Sequence, residues 1–459
     1  MKSGLIASAS AALVLTLALL NPAQSRADDP PKFDTGMIPA GHIFLPEDEP
    51  KANIFLISDA GGWGAREEDL AKSLEDKGAS VVGIDFPAYL KALAADKGDC
   101  VYMISDIESL AQQMQRAGKA KSYNPPILAG IGDGGALALA MIAQSPKATI
   151  GEAIAINPKA GIPLSNILCT PATKTKAGDR TVYGLTDGPL PAPVTVFLAA
   201  GADAGGKAHA EALKKDHADI AIRADDGTAD EVLSQALNDR VDAASGSGGD
   251  TLGLPLTLLE AKPAMDTMAI IYSGDGGWRD IDSQVGEALR ARGIPVVGVD
   301  SLRYFWSKQE PQQTADDLSR IIDTYARQWN VKHVLLIGYS FGADVLPATY
   351  NLLPDDTKSR VPQITLMALS HQVDYEISVD GWLGVAGKGE AGDPVNDIAK
   401  IDAKKVQCIY GKDEEEDACP TLKDKGIEMI GIDGGHHFDG DYEAMAGRII
   451  DSLKKRIAS

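Results

Sequence analysis

The chain has 459 residues, more than one hydrophobic core usually serves, so two domains of roughly 200 residues are expected. Hydrophobic residues make up 44% and aromatics only 5%, a balance that suits α/β domains built on aliphatic side chains and excludes disorder for the bulk of the chain. The formal charge of −21 argues against nucleic acid as a partner, and against an anionic membrane surface unless the ligand sought there is cationic.

Chain order begins with Lys2, an apolar run containing AALVLTLALL (11–20), then Asn21-Pro22. Small residues, Ser25 and Ala27, stand at the −3 and −1 positions of a cut after Ala27. This pattern reads as a secretory signal over 1–27. An uncleaved anchor is the alternative, but the run is short for a membrane span, and no later stretch approaches about 18 apolar residues. The mature chain is therefore expected in an exported compartment with no transmembrane segment, and without lipid attachment, since no lipobox cysteine stands near the cut. Removing 1–27 takes away Lys2 and Arg26 but no acid, which moves the charge from −21 to −23.

From residue 54 the chain begins to repeat itself. IFLISDAGGWGAREEDLAKSLEDKGASVVGID (54–85) is answered by AIIYSGDGGWRDIDSQVGEALRARGIPVVGVD (269–300), with Trp63 on Trp278 and Asp85 on Asp300 at an offset of 215. Each copy reads as a strand (54–58; 268–273), a Gly-Gly-Trp loop, an amphipathic helix ending near Gly78 or Gly293, and a second apolar strand (80–85; 295–300). After a long helical connection, a third strand (126–130; 333–338) runs into a glycine turn, ILAGIGDGGA at 127–136 and VLLIGYSFGA at 334–343. Strands alternating with helices imply parallel βαβ units, and continuous apolar strands imply burial on both faces. The expected fold class is α/β, with two tandem α/β-hydrolase-like domains on mostly parallel sheets. The first spans 28–245, a Gly/Ser/Asp-rich linker covers 246–253, and the second spans 254–459.

Four cysteines fall two to a half, an even count that suggests disulfides in an oxidising compartment. Cys408 is paired with Cys419, and Cys100 with Cys169, with buried thiols as the alternative for the second pair. Neither half has a CxxC or a Cys/His cluster, so no metal site is expected, and no cofactor.

The glycine turns differ where chemistry would differ. Gly338-Tyr339-Ser340-Phe341-Gly342 places a serine between a buried strand and a helix, a tight turn that lifts the hydroxyl above the sheet edge. At the matching position of the first turn stands Gly132, with offset 208. A serine nucleophile needs a base and an acid, in the chain order Ser, acid, His for this fold. The histidines after His371 are His436 and His437, in a loop between an apolar strand (426–432) and the last helix. His436, directly after two glycines, is preferred as the base, with His437 as the alternative. The acid should follow the strand VQCIYG (406–411), where residues 413–417 are all carboxylates. Asp413 stands nearest the strand end and is the first choice, with Glu414 second and Asp417 third; the rest would be a solvated acidic loop. A Cys408–Cys419 bridge would pin both ends of that loop. Oxyanion donors are expected from the N–H of Phe341 and from Gly276 or Gly277 in SGDGGW. The first half ends without a histidine where the second has GGHHF, so its fold is expected to persist without the triad.

SGDGGW (273–278), VDSLRYFW (299–306), GYSFGADVLP (338–347), the acid-rich loop and GGHHFDGDY (434–442) together resemble the AcvB/VirJ family of virulence proteins. Residues 254–459 are similar to the VirJ-type domain, and the two-domain length with a signal segment looks like AcvB-type members. The resemblance implies a periplasmic serine hydrolase that cleaves lysyl-phosphatidylglycerol to lysine and phosphatidylglycerol, with links to acid tolerance and virulence; the alternatives are another serine esterase or lipase, or a non-enzymatic periplasmic virulence or assembly factor that keeps the fold. Its expected partner is thus an aminoacyl-phospholipid at the membrane surface, and the first domain would guide substrate or bind a periplasmic protein. A cationic head group calls for acids near Ser340, and Asp280 or Asp344 are the candidates; Asp275 and Asp280 are either such contacts or helix-capping acids. Tyr304, Phe305 and Trp306 form either a lipid-facing wall by the site or a buried cluster.

Overall fold

In the computed structural model the described residues are 1, 31–39, 41–246, 252–377 and 389–458. The expected signal segment, apart from Met1, and most of the expected linker therefore lie outside the described residues. No helix among the described residues is long and apolar enough to cross a membrane.

Sixteen strands are described: β1 His42–Phe44, β2 Ala52–Ile57, β3 Ala79–Ile84, β4 Ile127–Ile131, β5 Glu152–Ile156, β6 Lys174–Ala177, β7 Arg180–Tyr183, β8 Val194–Leu198 and β9 Ala221–Ala224 in the first domain. The second contributes β10 Leu256–Leu259, β11 Thr267–Tyr272, β12 Val296–Val299, β13 His333–Tyr339, β14 Gln363–Met367, β15 Val406–Gly411 and β16 Glu428–Ile432. They form two seven-stranded sheets of the same plan, β1-β3-β2-β4-β5-β8-β9 and β10-β12-β11-β13-β14-β15-β16, plus a small β6–β7 hairpin. In each sheet only the first edge strand runs antiparallel. The repeat read from sequence is thus two α/β-hydrolase-like sheets.

The strands read as unbroken apolar runs because both faces are covered. Along β11, Met268, Ile270 and Tyr272 face one cluster while Ala269 and Ile271 face the other. β2 divides in the same way, with Phe55 and Ile57 on one face and Ile54 and Leu56 on the other. Each such buried aliphatic side chain contributes about 1.5–3 kcal/mol.

The Gly-Gly-Trp motif and the VVG motif explain each other. Trp278 lies flat on β12 at Gly298, where a Cβ would sit 2.4 Å from the indole, and Trp63 covers Gly83 with a Cβ clearance of 2.3 Å. The aspartate ending each motif caps the helix that follows: Asp85 accepts from Ala88 N at 2.8 Å and Asp300 from Arg303 N at 3.1 Å.

The two domains share contacts beyond the chain connection. Tyr123, which leads into β4, is buried in the core of the second domain, 5.2 Å from the Trp306 ring. Arg116 lies over Trp306 at 3.6 Å and donates to the carbonyls of Trp306 and Ile377. Both disulfides form, Cys100–Cys169 and Cys408–Cys419. The first ties the segment before the helix Ile104–Ala117 to the loop after β5, and the second ties Cys408 within β15 to Cys419, 11 residues on.

Candidate active site

The central strand β13 ends at Tyr339, and the helix Phe341–Leu352 begins two residues later. Ser340 makes the turn with φ 50° and ψ −119°, a left-handed conformation unusual for a residue with a Cβ. The turn is over-determined: Ser340 N donates to Met367 O at 2.9 Å, and Ser340 O accepts from Ala343 N and Asp344 N. Strain held in this way projects the hydroxyl above the C-terminal sheet edge, where open α/β sheets carry their sites.

Loops from the same edge meet there. After β16, the loop carrying His436 brings its Nε2 to 2.9 Å from Ser340 Oγ. In the tautomer with a proton on Nδ1, the hydroxyl donates to Nε2. His436 Nδ1 faces the Glu414 carboxylate at 3.8 Å, inside ion-pair range but longer than a hydrogen bond. His437 is turned away, edge-on to His436 at 5.8 Å, and its carbonyl accepts from Tyr442 Oη.

The acid beside the imidazole is therefore Glu414, in place of the first choice, Asp413. Asp413 is exposed, and its part is played by its backbone, whose N–H donates to Gly434 O at 3.0 Å and ties the acidic loop to the histidine loop. Glu414 turns inward because the chain curls after β15, where Glu414 N donates to Gly411 O. Asp417 is buried at the far end, accepting from Cys419 N at 2.8 Å with its other oxygen unpartnered among the described residues.

Charge around the site is dominated by acids in poor solvent. His436 is held below its ordinary value of about 6.5, first by crowding of the ring, and then by the neighbouring His437, while Glu414 and Asp275 pull the other way. Burial pushes the Asp344 carboxyl up to about 8, against the hydrogen bond it accepts from Ser370 N at 2.8 Å. Asp417 is pushed up to about 7, again mainly by burial, with Glu414 adding to the rise. Desolvation of an anion is the common cause, and a cation placed between these groups would reverse it.

The SGDGGW loop reaches the elbow at Gly274, where a Cβ would lie 3.7 Å from Ser340 Cβ. Gly277 is no oxyanion donor here, because its N–H is already given to Gly274 O at 3.1 Å in a tight turn. Gly276 points toward the Arg279 guanidinium. Gly274 is the residue of this loop that lies against Ser340. Phe341 opens the helix, so its N–H has no carbonyl four residues back within that helix. Asp282, which sequence reasoning passed over as a helix residue, is buried under this loop and accepts from Gly274 N at 3.3 Å.

Two expected substrate contacts lie elsewhere. Tyr304 is buried, and its hydroxyl donates to Asp317 Oδ2 at 2.7 Å; Trp306 Nε1 donates to Ala120 O. The aromatic run is a core cluster, and only Phe305 touches the elbow helix, 5.0 Å from the Phe341 ring. Asp280 is 62% exposed beside Arg279, with φ 46°.

The first domain preserves the elbow and fills it. Gly132 has φ 59° and ψ −113°, and its N–H donates to Ile156 O at 2.9 Å, as Ser340 does to Met367. The residue after it, Asp133, matches Phe341, and its N–H donates at 2.8 Å to Asp59 Oδ1. Asp59 aligns with Gly274, so a side-chain carboxylate sits where an oxyanion would. Arg180 from the hairpin pairs with Asp133 across the same opening.

Residues 266–457 match the family model described as "Bacterial virulence protein (VirJ)". The second domain is of the VirJ family. No curated protein matches the chain. Among solved structures, Est1E from Butyrivibrio proteoclasticus with ferulic acid bound aligns at 14% identity over 46% of this chain and 98% of its own, with TM-score 0.32. The α/β hydrolase GrgF from Penicillium sp. sh18 aligns at 14% identity over 44% and 93%, TM-score 0.34. Mouse α/β hydrolase domain-containing protein 10 aligns at 13% over 44% and 93%, TM-score 0.31. Each overlaps less than half of this two-domain chain. The VirJ match covers Ser340, His436, Glu414 and the whole SGDGGW loop, and leaves the first domain outside it.

Proposed function

We propose that the VirJ-type domain is a serine hydrolase that cleaves the aminoacyl ester of lysyl-phosphatidylglycerol in the periplasm, at the membrane surface. The observation that carries this reading is the 2.9 Å approach of Ser340 Oγ to His436 Nε2, with Glu414 behind the imidazole. Ser340 Oγ attacks the lysyl carbonyl carbon as His436 Nε2 takes its proton. The carbonyl π pair moves onto oxygen, where the N–H of Phe341 and a free N–H of the 274–277 loop receive the charge. Collapse expels the glycerol oxygen of phosphatidylglycerol, which takes the proton from His436 and leaves a lysyl ester on Ser340. Water, deprotonated by His436, then attacks that ester, releasing lysine and restoring the serine hydroxyl. Glu414 steadies the imidazolium that forms in each half.

Selectivity for a cationic acyl group would come from Asp344, Asp417 and Asp275. Burial pushes Asp417 and Asp344 up, to about 7 and about 8, and an ammonium bound beside them favours their ionised forms, so substrate binding should release protons near neutral pH. The acidic surface adds a long-range attraction. The two disulfides and the apolar N-terminal segment support an exported, oxidising compartment.

Lysine release from vesicles containing lysyl-phosphatidylglycerol tests the reading. Ser340→Ala should lower the rate by roughly 10⁴–10⁶-fold. Equal rates for the two proteins would overturn a serine mechanism. Hydrolysis of simple acyl esters without lysine release would overturn the substrate.

A further inference from the structure

The loop that carries the expected oxyanion donor is gripped from the other domain. Arg279 follows directly on SGDGGW, and its side chain is only 16% exposed. Its Nη1 donates to Glu108 Oε1 at 2.8 Å and to Thr149 Oγ1 at 2.9 Å. Both partners belong to the first domain: Glu108 lies on the buried face of the helix Ile104–Ala117, and Thr149 precedes β5. Nearby, Lys147 Nζ donates to Ser283 Oγ on the helix that the loop enters.

The grip reaches the loop backbone. At Gly276 a Cβ would lie 2.7 Å from both Nε and Nη2 of Arg279, so the guanidinium rests directly on that peptide. Gly277 N–H closes the turn onto Gly274 O, and Gly274 lies against Ser340. A displacement of Arg279 is therefore passed through three residues to the glycine that lies against the nucleophile. Glu108 is a buried carboxyl in a helix that packs on its own domain's core, where an apolar side chain would serve stability better. Its burial pushes it up to about 7 even with Arg279 in place, so the site keeps an expensive group for a geometric purpose.

We propose that Glu108, with Thr149, is a positioning residue of the first domain that clamps Arg279 and so holds the 274–277 loop where it can meet charge on the reacting carbonyl oxygen. This rests on the serine hydrolase reading. It gives the degenerate domain a part in the reaction: it supplies no reacting group and sets the geometry of one supplied by its neighbour.

The test uses the full two-domain chain. Labelling by a fluorophosphonate probe in wild type but not in Ser340→Ala establishes the nucleophile separately; an unlabelled wild type overturns both the hydrolase reading and the clamp. Glu108→Ala should lower kcat about 10–100-fold with KM changed less than about twofold, since misplacing a transition-state donor costs rate more than binding. Glu108→Gln, which keeps an acceptor for Arg279, should stay within about threefold of wild type. Arg240→Ala breaks the paired contact to Glu152 inside the first domain, away from the loop, and serves as the stability control. If Glu108→Ala fails to fold, Glu108→Asp, which withdraws the carboxylate by one methylene, decides instead. A Ser340-labelled enzyme whose kcat is unchanged in Glu108→Asp or Glu108→Ala, with only the thermal midpoint lowered as in Arg240→Ala, overturns the clamp and leaves the hydrolase reading standing.

Discussion

The two elbows, at Gly132 and at Ser340, have nearly the same backbone and opposite contents. Both follow the central strand, both hold a left-handed residue, and both anchor its N–H to the next strand. In the second domain the space above the turn is bounded by a glycine and faces a histidine. In the first it is taken by the Asp59 carboxylate, which accepts the N–H of Asp133 and blocks any side chain at 132. The fold survives loss of the chemistry because the strained turn is held by backbone bonds that do not need the serine. What changes is the acceptor of the first helical N–H, which is the Asp59 carboxylate in the first copy and, on the proposed reading, the substrate in the second.

After loss of Ser340 itself, the largest effect is expected where the second site has something the first lacks altogether. Glu414→Gln should lower kcat by roughly 10²–10⁴-fold, by withdrawing the charge that steadies the imidazolium. Asp413→Asn should stay within about twofold, because Asp413 contributes a backbone N–H that the substitution keeps. Steady-state rates for the pair decide between the two neighbours, and the reverse ranking would return the role to Asp413.

How much of this could be read from the sequence depends on the range of the interaction. The strands, elbow, the pairing of Ser340 with His436 and the disulfides were legible because each rests on periodicity, local turn chemistry or chain order. The acid was narrowed to 413–417 but not resolved, since five consecutive carboxylates share one spacing signal and the curl of the chain after Gly411 decides which turns inward. Tyr304 could not be sorted between wall and core, because an aromatic run on a short helix looks the same in both; its hydroxyl found a buried acceptor in Asp317. Gly277 looked like a donor until its N–H was seen to close the loop on itself. The Glu108–Arg279 contact joins residues 171 apart in different domains, and nothing local marks either as a partner of the other.

The comparison can be broken from the second domain's side. Gly274→Asp should place a carboxylate over Phe341 N–H as Asp59 does over Asp133 N–H. A Cβ at 274 would approach Tyr339 at 3.2 Å, close but able to be absorbed by a small ring shift, so folding should persist. Occupying the donor internally should lower kcat by about 10²–10³-fold, while Gly274→Ala loses far less. Equal losses in the two variants would show that crowding, not the carboxylate, matters.

Approached from the first domain, the change costs stability and restores nothing. Gly132→Ser would put a Cβ 2.4 Å from Asp59 Oδ1 at a residue with φ 59°, for a loss of about 1–3 kcal/mol in chemical unfolding. Asp59→Gly in the same chain should recover part of that loss. Neither variant should add hydrolysis to a Ser340→Ala background, since the first domain has no histidine facing its elbow; measurable activity there would end the view of that domain as a filled relic.

The smallest effect is a shift in pH dependence, and it reports on the imidazole alone. Only neutral His436 can accept the serine proton, so kcat/KM should rise with pH through its folded pKa and level off above it. Burial of the ring keeps that value below about 6.5, so the part of the rise due to His436 should be nearly complete by pH 7, ahead of any part due to Asp417 and Asp344. Glu414 and His437 act on it with opposite signs. Glu414→Gln should move the midpoint down, because less favours the protonated ring; removing the neighbouring imidazole in His437→Ala should move it up. The same depression implies that folded-state stability linked to His436 is present above its unfolded pKa and is lost as pH falls through the folded value. Midpoints of kcat/KM for the three proteins, each within about one pH unit of the others, test the assignment of the base, and a profile unmoved by both substitutions would transfer that role away from His436.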